Sequence, residues 1–231
     1  MDNDHHAAAW QRISSVASTA GLSLVSACEV CADDLGADFA GATLVTAGEL
    51  RLMGAATDER ARAVEDAQLV TGEGPCTDAY VRRAPVEEAE LGRASGRWPA
   101  FAPLAVEQGA HGVLALPLTI GVLAVGAVDL YRCAPTPFTA AEKTRATAYA
   151  RILAVLALEE HPHLLTALPT RPARRGPQGY PPTVHMAAGV LAAAYDITPD
   201  DALARLRAHS FRHNQPLLRT AEHVLDHQRL D

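Results

Sequence analysis

Two sets of side chains in this sequence are of the types that do chemistry. Near the end, Arg205, Arg207, His209, Arg212 and His213 crowd nine residues, and His185 precedes them. Guanidinium groups fork onto phosphates and stack on bases, and imidazoles stack and titrate near neutrality. Such a grouping can contact RNA phosphates and unpaired bases. The residues alone favour the plainer reading, a solvated helix face with i,i+4 pairs such as Asp201–Arg205. The second set is thiols. Cys76 follows Pro75 where a helix begins, a position that can lower a thiol pKa and make a nucleophile. No His–Cys–Asp set accompanies it, which favours a buried structural cysteine. Cys28 and Cys31 form a CxxC pair but share one apolar stripe, and read as small packed hydrophobes. The four cysteines, with Cys133, lack zinc-finger spacing, and neither GxxxxGK[ST] nor HExxH occurs. His111, before an apolar strand, reads as a core histidine. No catalytic residue, metal or cofactor is expected.

The elements that must position these groups follow from periodicity. Ile13, Val16, Ala17, Ala20, Leu24, Ala27, Cys28, Cys31 and Leu35 recur at three- and four-residue steps. That predicts one long helix over 13–35. Apolar runs at 41–47 and 49–56 flank Gly48 as a hairpin. Asp58 or Thr57 caps a helix over 59–69, and the turn Thr71-Gly72-Glu73-Gly74-Pro75-Cys76 leads into a helix over 77–83. After a polar loop, 98–107 reads as helix. The runs 111–119 and 122–132 are nearly continuous in Val, Leu, Ile and Ala, so they belong centrally in a sheet. A long helix over 139–160 closes the unit. The order predicts an α+β domain, an antiparallel sheet with flanking helices lying on one face. Five prolines and two glycines make 166–182 a linker. Beyond it, 183–195, 198–213 and 215–229 read as three helices. Thr198-Pro199-Asp200-Asp201 is a strong helix start. The boundaries are therefore 1–165, the Pro-rich linker 166–182, and a small all-α unit at 183–231.

Charge divides the same way. Residues 1–160 carry 12 basic and 21 acidic side chains, which excludes nucleic-acid binding by charge there. The linker adds Arg171, Arg174 and Arg175, and the last fifty residues hold five of the ten histidines. No run of eighteen apolar residues occurs and the start lacks a basic-then-apolar leader, so no membrane segment and a cytoplasmic location with reduced thiols are expected.

Two resemblances cover nearly the whole chain. Residues 13–160 resemble a GAF domain, a small-molecule-sensing and dimerising module, of the form found in actinobacterial regulators. The carrying segments are TGEGPCTDAYVRRAPV at 71–86, WPAFAPLAVEQGAHGVLALPL at 98–118 and GVLAVGAVDLYR at 121–132. Residues 183–230 resemble an ANTAR domain, a three-helix RNA-binding module of transcription antitermination regulators. Its segment is VHMAAGVLAAAYDITPDDALARLRAHSFRHNQPLLRTAEHVL at 184–225. Ala188 stands where many members carry a lysine beside Gly189.

The resemblance implies an antitermination regulator that holds dual stem-loop hairpins of nascent transcripts. Its RNA-binding residues would be His185, Gly189, Arg205, Arg207, His209, Arg212 and His213. Gly189 would also let a neighbouring helix approach closely, at a cost of about 1 kcal/mol against alanine. The stripes Ala187, Val190, Leu191 and Ala194, then Ala202, Leu203, Leu206 and Phe211, then Leu217, Leu218, Ala221, Val224 and Leu225 would form the core. A homodimer is expected through the helices at 13–35 and 139–160 as a four-helix bundle, with Val25 and Val155 marking a second apolar strip. A small-molecule ligand is expected on the sheet face, bounded by Leu44, Leu52, Cys76, Val113 and Leu116. The competing classes are a thiol-based redox enzyme centred on Cys76 and a ligand-binding scaffold without RNA binding.

Overall fold

A computed structural model describes residues 2–46, 49–162, 164, 182–213 and 215–230. The expected linker and the turn at Gly48 lie outside these residues, except Pro182.

The long helix expected at 13–35 is two helices, α1 (Asp2–Ala20) and α2 (Leu24–Leu35). Gly21 takes φ +83, and Ser23 opens α2 with a reciprocal capping box to Ser26, so a new helix starts where the apolar stripe continues unbroken. β1 (Phe39–Thr46) and β2 (Glu49–Ala56) form the first hairpin. α3 (Glu59–Thr71) is capped by Asp58, whose carboxylate accepts from Ala61 N at 2.7 Å, and ends at left-handed Gly72. α4 (Pro75–Arg82) begins with Pro75. The loop expected next contains an edge strand, β3 (Val86–Glu88), before a 3-10 turn (Leu91–Gly96) and α5 (Phe101–Glu107). β4 (Gly112–Ile120), β5 (Leu123–Arg132) and α6 (Ala140–Glu160) complete the unit. Thr139 and Glu142 form the capping box of α6.

The sheet is antiparallel throughout, in the order β2-β1-β5-β4-β3, which puts β5 at its centre and β4 beside it. Helices cover both faces, not one. Leu114, Leu116, Val128 and Leu130 pack under α1, α2 and α6, while Val113, Ala115 and Tyr131 pack with Phe39, Trp98 and Phe101 under α3, α4 and α5. Strands apolar on alternate and intervening positions need a cover on each side.

Three further helices follow: α7 (Pro182–Tyr195), α8 (Pro199–Arg212) and α9 (Leu217–His227). Thr198 caps α8 through Asp201 N at 3.1 Å, with Pro199 in the first turn. No described helix is long and apolar enough to cross a membrane.

On the outer side of the first domain Trp10, Leu22, Val25 and Val155 keep 37–47% exposure. Aspartate at both Val25 and Val155 is expected to leave folding intact, because neither is buried. Light scattering at micromolar concentration then reads whether this strip joins two copies.

Candidate nucleic-acid interface

The three-helix unit has a core of Val184, Ala187, Leu191, Ala202, Leu206, Leu217, Ala221 and Val224. Three residues expected inside are outside: Ala194 is exposed, Phe211 is 50% exposed and Leu218 41%. Ala188, in contrast, is buried in this core. A hydroxyl bridge from Ser210 to Thr220 at 2.7 Å ties α8 to α9 in the interior.

Helical geometry then sorts the basic residues. Positions 205, 209 and 212 fall on one side of α8, and 207 falls about 200° away from 205. Arg205 does not pair with Asp201, whose carboxylate takes the Thr198 hydroxyl at 2.8 Å. Its guanidinium lies 5.3 Å from the centre of the Tyr195 ring, a cation–π contact. His209 and His213 stack with ring centres 4.2 Å apart. Tyr195, Arg205, Ala208, His209, Arg212 and Leu230 line an open groove of about 280 Å³. Arg205 and Arg212 have no ion-pair partner among the described residues. The groove thus combines two unneutralised guanidiniums with a phenol and stacked imidazoles. That is chemistry for holding phosphates and stacking unpaired bases. Tyr195 was absent from the expected set; its place at the end of α7, seven residues before the next apolar stripe, gave no sign of the contact. A second stacked pair, His223 and His227 at 4.3 Å on α9, was also unanticipated.

Arg207 departs from the expectation. It turns into the first domain, donating from Nε to Val70 O at 2.8 Å and from Nη2 to Thr71 O. These carbonyls end α3, where the helix dipole favours a cation. Gly72 makes room, since a Cβ there would collide with the guanidinium. Arg207 is therefore a docking residue in this arrangement and no part of the groove.

His185 and Gly189 are exposed on α7, one turn apart. The close helix approach expected at Gly189 does not occur, because a Cβ there would meet nothing within 4 Å. An exposed glycine inside a helix costs about 1 kcal/mol and has no internal reason here. Gly189→Ala is expected to raise the stability of the C-terminal unit by about that amount. If the bare backbone serves close approach by RNA, the same change weakens RNA binding, read by thermal denaturation alongside an RNA titration.

The first domain does not assemble the expected ligand site. Leu44 and Leu116 face α2 and α6, Val113 faces α5, and Cys76 lies in a small cluster with Val45 and Ala127. Neighbouring strand positions alternate sides, so the set spans both faces. Leu52 alone lines a large cavity, on the edge towards the C-terminal unit.

Behind the sheet lies a buried polar cluster that the sequence reading missed. The Glu65 carboxylate accepts from Thr43 Oγ1 at 2.7 Å and from the Tyr131 hydroxyl at 2.8 Å. Gln68 Nε2 donates to Asp129 Oδ2 at 2.5 Å, and Gln68 Oε1 accepts the Cys76 N–H at 2.9 Å. The other Asp129 oxygen is unpartnered. Glu65, Cys76 and Asp129 bring potential ligand atoms within 4.8 Å. Burial first, and then the Glu65 charge, pushes Asp129 well above the carboxylate range. Burial, with Asp129 and Glu65 adding to it, likewise pushes the Cys76 thiol well up. Cys28 and Cys31 are buried and raised as well. In the free protein, burial thus favours the protonated forms of these groups.

Comparison with known families places an ANTAR domain at residues 182–225. Comparison with curated proteins gives no match. Among solved structures, the chain is similar to the GAF domain of an Acinetobacter phosphoenolpyruvate-protein phosphotransferase, at 16% identity over 69% of this chain and 93% of that one, TM-score 0.49. It is similar to the GAF domain of the Coxiella burnetii phosphoenolpyruvate-protein phosphotransferase, at 18% identity over 71% and 98%, TM-score 0.49. A type II free methionine-R-sulfoxide reductase from Thermoplasma acidophilum matches at 18% identity over 58% and 89%, TM-score 0.47.

Proposed function

Starting from an ANTAR domain at residues 182–225, we propose that this protein is an RNA-binding transcription antitermination regulator whose N-terminal domain senses a small molecule and dimerises. One observation supports it most: the groove of Tyr195, Arg205, His209 and Arg212 faces outward, and neither arginine is in an ion pair among the described residues. The C-terminal unit has almost no net charge, so affinity comes from stacking and local phosphate contacts more than from bulk attraction. His213 extends the groove, and His185 and Gly189 on α7 supply the remaining contacts of the reading head. Two heads carried by one dimer engage two hairpins together, and the second contact gains from effective concentration. The dimer surface is the strip of Trp10, Val25 and Val155. The protein acts in the cytoplasm, where transcripts are made.

The head, and not a thiol, carries the activity in this reading. A redox enzyme needs a reachable thiolate, and Cys76 is 1% exposed with its pKa raised. Titration of the folded chain with a thiol reagent is expected to label the exposed Cys133 and to spare Cys76. Rapid reaction at Cys76 would restore the enzyme reading.

The direct test is binding to a transcript with two adjacent stem-loops against a scrambled RNA of equal length. Preference for the paired hairpins is the expected outcome, and equal affinity removes the antitermination reading.

A further inference from the structure

The C-terminal unit is tied to the end of α3. Arg207 of the C-terminal unit holds the last carbonyls of α3. One turn back on α3, the Asp66 carboxyl faces Leu217, the first residue of α9. That helix has no side-chain cap of its own, since Pro216 occupies the capping position.

Beside these ties sits a cavity of about 500 Å³. Its size falls among small-molecule sites, and domain junctions are where such sites concentrate. Leu52, Leu69 and Leu104 wall it on one side, Pro216 and Leu218 on the other. The charged residues at its edge are Glu59, Asp66, Glu107 and Arg62. Arg62 is already opposite Glu59 at 3.6 Å. Asp66 and Glu107 have no cation partner among the described residues. An apolar chamber with two uncompensated carboxylates selects a ligand with a positive end and an apolar body. Burial pushes the Asp66 carboxyl up to about 6, as happens when a carboxylate leaves water without a countercharge.

We propose that this interdomain cavity binds a small amphipathic amine, with its ammonium against Asp66 and its apolar body along Leu52, Leu104 and Leu218. The site lies at the edge strand β2 and shares only Leu52 with the expected sheet-face set. Both domains contribute walls, so only the docked arrangement offers the complete site, and the ligand holds the head docked. That the ligand is an effector rests on the regulator reading; the binding itself needs only the two docked domains.

The test titrates the full chain with hexylamine, 1-hexanol and hexanoate, following heat. Hexylamine is expected to bind at least about tenfold tighter than the isosteric alcohol, and hexanoate more weakly than either. Asp66→Asn should bring the amine to the affinity of the alcohol. Leu218→Trp, filling the chamber from a half-exposed position, should abolish binding of both with an unchanged circular dichroism spectrum. Equal binding of amine and alcohol to the native chain overturns the proposal, and so does amine binding that survives both variants. RNA affinity measured on the same samples separates the two readings: amine binding without RNA binding removes the regulator and leaves the cavity assignment standing.

Discussion

Arg205→Ala together with Arg212→Ala is expected to weaken binding to a two-hairpin transcript by about a hundredfold, whereas Arg207→Ala leaves that affinity intact. A stacking contact in single-stranded RNA contributes about 1–3 kcal/mol, and two lost contacts of about 1.5 kcal/mol each sum to about 3 kcal/mol, or two decades. The contrast with Arg207 is what makes the result diagnostic. Loss of a generic positive charge would act alike at all three positions. The structure turns Arg207 onto Val70 and Thr71 and leaves the other two over the groove. Removing Arg207 releases the head from α3, so its affinity stays level or rises. Losing phosphate contacts should also flatten the salt dependence, by about 0.7 in the logarithmic slope for each phosphate released. Filter binding at several salt concentrations reads both quantities. A fall for Arg207→Ala equal to that for the double variant contradicts the assignment.

The second large effect concerns the buried cluster. Glu65→Ala is expected to cost about 3 kcal/mol or more, because a buried hydrogen-bond network loses its central acceptor. Thr43 and Tyr131 lose their acceptor, and a void opens where the carboxylate fills the space above Gly41. In a chain of this size that lowers the melting temperature by roughly 10 °C. Asp129→Asn behaves oppositely. The raised pKa of Asp129 means that the folded state prefers it protonated, and asparagine has nearly that shape without a charge. The sign follows from linkage. A carboxyl whose folded pKa lies above its ordinary 3.8 contributes stability that is complete below that value and lost as pH rises through the raised one. Melting temperatures from acid to alkaline pH should therefore show the asparagine variant gaining on the native chain as pH rises. A constant difference across the range would mean that Asp129 is already ionised.

The sequence exposed some of this architecture and hid the rest for physical reasons. The nearly continuous apolar runs of β4 and β5 already implied two buried faces. The consequence, a helical layer on each side, contradicts the one-sided arrangement expected from element order. The break between α1 and α2 was masked by an apolar stripe that keeps its spacing across Gly21, although Gly21 and the Ser23–Ser26 box are the local signal. β3 is three residues long and exists only through pairing with β4, so no local pattern announces it. Asp129 is one acid inside an apolar strand, but no local pattern names its partner Gln68, which lies about sixty residues away. In the C-terminal unit, composition gathered the right residue types, but a helix separates neighbours by about 100° each, so Arg205 and Arg207 could not share a face. The groove itself needed Tyr195, and only the packing of α7 against α8 puts that ring under Arg205.

The measurement that bears most directly on the RNA-reading head is photocrosslinking of the native protein to its cellular transcripts, with the attached peptides identified by mass spectrometry. Crosslinks on Tyr195 and on the His209–His213 segment, joined to loop nucleotides of adjacent stem-loops, are the predicted result. Transcripts recovered without paired stem-loops, or attachment confined to the N-terminal domain with the groove unmarked, would contradict it.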